Sequence, residues 1–96
     1  MSPQAPTGEP TTAGADQMPP VEALVTDTVA RFTLAAHGYL ADEEGKQADL
    51  RAAEIAIDIA SSAYERVKER LRPEDRLAIT QLLTETRMTF VRKRGL

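Results

Sequence analysis

The side chains in this sequence that can carry chemistry are few. There is one imidazole, His37, and no thiol. Without Cys, disulfide staples, thiolate catalysis and Cys-ligated zinc are excluded. His37 has no second His at ligand spacing and falls off the apolar stripe near a helix end, so it reads as a solvated or capping residue. Asp42, Glu43 and Glu44 concentrate carboxylates before Gly45. Consecutive acids splay apart, whereas a calcium loop alternates its ligands over about twelve residues. Asp58 lies close to Ser61 and Ser62, but no His is within a helix's reach to complete a triad. Asp58 reads instead as an interhelical partner, with Arg87 the expected mate. Arg87, Arg92, Lys93 and Arg94 form a basic cluster that could contact nucleic-acid phosphates. Only Phe90 offers a base-stacking ring beside them, and a basic helix end also serves to offset the helix dipole. No catalytic, metal or cofactor set emerges, and the expectation is a protein that is not an enzyme.

These residues sit on three segments of helical period. Residues 20–40 place Val21, Leu24, Val25, Val29, Phe32, Ala35, Ala36, Tyr39 and Leu40 on one stripe, with Pro20 suited to the first helical position. "ADEEGKQ" (41–47) is a polar connector. Asp49 can cap a second helix running to about Leu71. Along it Leu50, Ala53, Ile57, Ala60, Tyr64, Val67 and Leu71 alternate in steps of three and four, a heptad seam of the coiled-coil kind. Pro73 breaks the chain and would start a third helix, with Glu74 and Asp75 in its first turn and its end near Lys93. A DNA-reading helix pair is disfavoured, because that acidic end would repel phosphate. The fold expected is all-α: three amphipathic helices in an antiparallel bundle over residues 20–96, completed by dimerisation. Residues 1–19, rich in Pro, Thr and Gly, read as a disordered tail.

The second helix carries more apolar surface than its seam needs. Ala52, Ile55, Ala56, Ile59 and Ala63 lie off the seam, and one neighbouring helix cannot cover both sides. A body of this size is marginal on its own burial. These five residues are therefore the candidate interface of a homodimer, with an unidentified protein partner also open. Charge is divided along the chain: residues 1–64 hold three basic against ten acidic groups, and residues 65–96 hold nine basic against five acidic. That division suits helices neutralising one another when antiparallel, or a basic contact surface for RNA or the ribosome. No basic-then-apolar leader and no run of about 20 apolar residues occurs, so the expected location is cytoplasmic, away from membranes.

Residues 18–92 carry a recognisable order of features: Met18-Pro19-Pro20, Asp49-Leu50, Ala53, Ile57-Asp58, Leu71 to Asp75, Leu82-Leu83, Arg87 and Phe90-Val91. The order resembles a family of short uncharacterised bacterial helical proteins, a domain of unknown function. The resemblance implies a small helical bacterial cytoplasmic protein and no particular activity. Arg72 departs from it, because the family tends to place a capping Thr there. An Arg forfeits a cap worth on the order of 1 kcal/mol. "LRAAEIAID" (50–58) also resembles the first helix of all-helical chorismate mutases, in which Arg51 would be one of several ligand-binding cations. The further cations are missing, and Ala and Ile fill the seam. The leading expectation is a non-enzymatic, self-associating helical interaction module. An RNA- or ribosome-associated protein and a small all-helical enzyme are the alternatives.

Overall fold

The computed structural model describes residues 17–43 and 45–95. It is all-α, with α1 Val21–Leu40, α2 Leu50–Val67 and α3 Pro73–Gly95. One turn of 3-10 helix, Lys68–Arg70, follows α2. Among the described residues no strand occurs, and Glu43 and Lys46 form a single isolated bridge. They exchange backbone hydrogen bonds of 3.1 and 2.8 Å around Gly45, whose φ of 78° is a turn conformation that glycine adopts without strain. The expected tail over residues 1–19 lies outside the described residues up to Asp16.

The helices run up, down, up. Glu22 meets Arg70 at one end of the α1–α2 pair, and the Asp49 amide donates to the Tyr39 carbonyl (2.7 Å) at the other. That bond satisfies a carbonyl the end of α1 would otherwise leave orphaned. α1 and α2 make the closest pairing, and α3 lies across both. The reason is side-chain size. Ala36, Ala53, Ala56 and Ala60 are all buried at this contact, and a methyl group lets two backbones approach.

The core has two parts. Val29, Ala60, Tyr64, Val67, Leu71, Ile79 and Leu83 form the larger; Ala36, Ala56 and Ile57, with Phe32 and Phe90 against them, form the smaller. Every residue of the heptad seam from Ala53 onward is buried, and Leu50 is half-buried. Two hydroxyls join this core. Thr33 donates to the Val29 carbonyl (2.9 Å) and Thr86 to the Leu82 carbonyl (2.8 Å). Each thus satisfies its proton inside its own helix and can be buried without penalty.

Three expectations are corrected, while the third helix starts at Pro73 as expected. Pro20 is the N-cap of α1, not its first residue, and its carbonyl accepts from Ala23 and Leu24. α2 ends at Val67, not Leu71, because the chain tightens before Pro73, which bars the preceding residue from α geometry. The carbonyls freed there are taken by Arg76, which donates to Lys68 O (3.2 Å) and Leu71 O (2.8 Å). α3 starts at Pro73 despite the absent Thr: Arg72 offers its carbonyl to Asp75 and Arg76 and pairs its guanidinium with Asp75 at 3.1 Å. Finally, Val21, Leu24 and Tyr39 are exposed, although they belong to the periodic stripe of α1. α1 turns toward its neighbours the side bearing Thr33, which a purely apolar stripe leaves out.

Candidate interaction surface

The Asp49 carboxylate accepts from the Ala52 amide (3.0 Å) and starts α2, which sets the register of everything beyond it. In that register Ala53, Ile57, Ala60 and Tyr64 face the core, and the surplus residues divide. Ala56 is 3% exposed and packs against Ala36 of the same chain, so it leaves the candidate interface. Its distance from the seam centre is less than one helical step, close enough for α1 to cover it. Ala63 is half-buried against the larger core, and Ala52 is half-buried. Ile55 (47% exposed) and Ile59 (41%) remain in solvent. They stand one turn apart on the side of α2 that flanks α1.

α1 continues this surface. At 100° per residue, Val21, Leu24, Thr28, Ala35 and Tyr39 follow one line on α1, with half-buried Val25 and Phe32 between that line and the core. Val21, Leu24 and Tyr39 are each more than two-fifths exposed. The two rows adjoin, because α1 and α2 are neighbours along their length. Together they make an apolar surface to which α2 contributes Ile55 and Ile59 and α1 contributes Val21, Leu24 and Tyr39. A shallow groove along α2 lined by Asp58, Ile59, Ser62, Ala63 and Arg66 lies at its margin. Monomers rarely expose contiguous apolar patches beyond a few hundred Å².

The other candidates are placed differently from one another. Asp58 and Arg87 line one cleft of about 200 Å³ with Glu54, Ile57, Phe90 and Val91, but Arg87 donates to Ser61 and not to Asp58. The expected pair is therefore corrected by one helical turn. The basic cluster does not converge on one surface. Lys93 turns toward the link between α1 and α2 and pairs with Asp42 at 3.0 Å. Arg92 donates to Thr89 (3.3 Å), and the Arg94 guanidinium stacks 5.4 Å from the Phe90 ring centre. Residues adjacent in sequence point about 100° apart on a helix, which disperses a cluster of consecutive charges.

Asp42 and His37 take structural roles. The Lys93 ammonium, followed by the Ala48 amide, holds the Asp42 carboxyl below its ordinary value. Glu22 is lowered likewise, first by its own backbone amide and then by Arg70. His37 is exposed in the last turn of α1, as expected, and it also bridges to α3. Its Nε2 lies 3.1 Å from Thr86 Oγ1 on α3. The Thr86 proton is committed to Leu82, so His37 is the donor. Arg51 pairs with Glu54 at the exposed start of α2. Among the described residues no group of three His, Asp or Glu side chains could hold a metal ion, and no helix is long and apolar enough to cross a membrane.

Fold and surface together define an all-α protein of three helices that exposes apolar residues on adjoining sides of α1 and α2 and, on α3, at Leu77, Met88 and Val91. The chain matches no family model, no curated protein and no solved structure.

Proposed function

We propose that this protein is a non-enzymatic helical interaction module that self-associates through the α1–α2 face. The observation that carries the reading is the exposure of Ile55 and Ile59 beside Val21, Leu24 and Tyr39. Each Å² of such surface removed from water contributes about 25 cal/mol, and a mate of the same kind covers both helices at once. The resemblance to short bacterial proteins of unknown function supports a small cytoplasmic protein and adds no catalytic role.

Sedimentation equilibrium tests the reading. A dimer is expected at tens of micromolar, and Ile59→Glu is expected to shift it to monomer with helical circular dichroism retained. A wild-type chain that is fully folded and strictly monomeric there overturns it. The second reading is RNA or ribosome association through Arg92 and Arg94, which stay on the surface at the end of α3. Dispersal of the basic cluster makes it the weaker one. It requires binding that falls steeply with salt.

A further inference from the structure

The geometry points to a small-molecule site in the groove between α2 and α3, one that takes a single oxyanion group, a carboxylate or a phosphate, on Arg87 and the hydroxyls beside it.

The groove runs between two facing rows of polar side chains. On α2 the row is Ser61, Tyr64 and Lys68, and on α3 it is Thr80, Thr84 and Arg87. Steps of three and four residues keep each row on one side of its helix. Buried Leu83 lies between the rows, and the cleft they enclose measures about 270 Å³. Two links cross it. Arg87 donates to the Ser61 hydroxyl, and the Tyr64 and Thr80 hydroxyls lie 3.2 Å apart.

The threonines mark this cleft. A Thr inside a helix can return its hydroxyl proton to a carbonyl of the preceding turn. Thr26, Thr28, Thr33, Thr86 and Thr89 each do so, to the carbonyl four residues back. Among the described residues Thr80 and Thr84 are the helical threonines that do not, and both line the cleft. Thr80 has Tyr64 as its partner, and Thr84 makes no hydrogen bond within the chain. Their hydroxyls are left for what enters between the helices.

The charge there has a definite sign. Lys68 is neutralised by Glu65 at 2.8 Å, whereas Arg87 enters no ion pair among the described residues. The cleft therefore offers one free guanidinium among hydroxyls. A guanidinium carries parallel N–H donors that match two oxygens of a carboxylate or phosphate. The hydroxyls can donate to the same oxygens or accept from polar groups along the rest of the molecule. Glu54 and Asp58 line the adjoining cleft on the far side of Arg87. They repel a second anionic group, so the ligand carries one oxyanion group and is otherwise neutral and polar. The site is separate from the self-association surface, because Ser61 lies about 160° round α2 from Ile59.

Titration of the full chain with inorganic phosphate and, separately, with glycolate tests the site, read by amide NMR against sodium chloride at matched ionic strength. Saturable shifts are expected over residues 61–68 and 80–87. Arg87→Gln is expected to weaken binding about tenfold. Thr84→Val, at an exposed position, should weaken it about threefold and keeps the test decisive if Arg87→Gln disturbs the groove. Arg92→Gln removes the same charge outside the cleft and should leave binding within about twofold. Tighter binding of glycolate assigns a carboxylate ligand and tighter binding of phosphate a phosphate ester; either supports the site. No saturable shift at tens of millimolar overturns it. So does equal weakening by Arg87→Gln and Arg92→Gln, which leaves only diffuse attraction to the basic helix. Neither result bears on self-association, which sedimentation reads independently.

Discussion

His37 on α1 donates from Nε2 to the hydroxyl of Thr86 on α3, and Thr86 passes its own proton to the Leu82 carbonyl. The link is polar and crosses between α1 and α3. Thr86 has no solvent exposure, so it cannot replace His37 with bulk water.

Removing that link should register as stability. Thr86→Val keeps the volume but removes the acceptor that ties His37 to α3 and the second donor on the Leu82 carbonyl. A loss of about 1 kcal/mol is expected in urea denaturation. His37→Ala should cost less than that on the α3 side, because the Thr86 proton remains satisfied. Equal stability for Thr86→Val and wild type would count against the link.

Arg76 offers a second test. It closes the end of the second helix with hydrogen bonds to Lys68 O and Leu71 O across the Pro73 turn. Arg76→Ala should cost about 1 kcal/mol and raise amide hydrogen exchange in the last turn of α2 and the 3-10 turn. Both bonds come from Nη1 alone, so Arg76→Lys, which offers three donors on one nitrogen, should recover part of the loss wherever its ammonium reaches that position. Exchange unchanged in that turn would show that water satisfies these carbonyls equally well.

Ala60 and Ile59 are neighbours in sequence with opposite expectations. Ala60→Leu adds volume at a fully buried core position, and about 1–3 kcal/mol of destabilisation is expected, with no specific effect on association. Ile59→Glu should leave thermal stability of the isolated chain nearly unchanged while abolishing association. If Ile59→Glu unfolds the monomer, Ile59 is held by its own chain and the exposed face is smaller than drawn.

Acid should weaken the fold through Asp42 and Glu22. Both carboxyls are lowered in the folded chain, so their stabilisation is complete above the ordinary values of 3.8 and 4.5. It is lost as pH falls through the depressed folded values. Carboxyl titration by NMR should find Asp42 below 3.8. Lys93→Gln should move it back up, since Lys93 is the chief cause. Both groups are exposed, so the effect should shrink in high salt.

Much of the architecture is written along the chain. The heptad spacing from Leu50 to Leu71 marks the buried side of α2, and Asp49, Pro73 and Gly45 mark where helices begin and the link turns. These are local properties: side-chain period and backbone preference act over a few residues. What α1 buries was not legible in the same way. Its apolar residues spread over a wide arc, and a Thr can be core when its hydroxyl bonds to its own helix. The four basic residues of α3 looked like one cluster because sequence order hides the rotation between neighbours.

By itself, the sequence determined three helices, their polarity and an apolar surplus on the second. Only the tertiary structure decided which surplus residues are spent inside the chain. Ala56 lies within reach of Ala36, while Ile55 and Ile59 fall beyond the edge of α1. The physical reason is geometric. A helix fixes the angles between its own residues, but what each angle faces depends on where the neighbouring helix lies, and that is set by packing across the whole bundle.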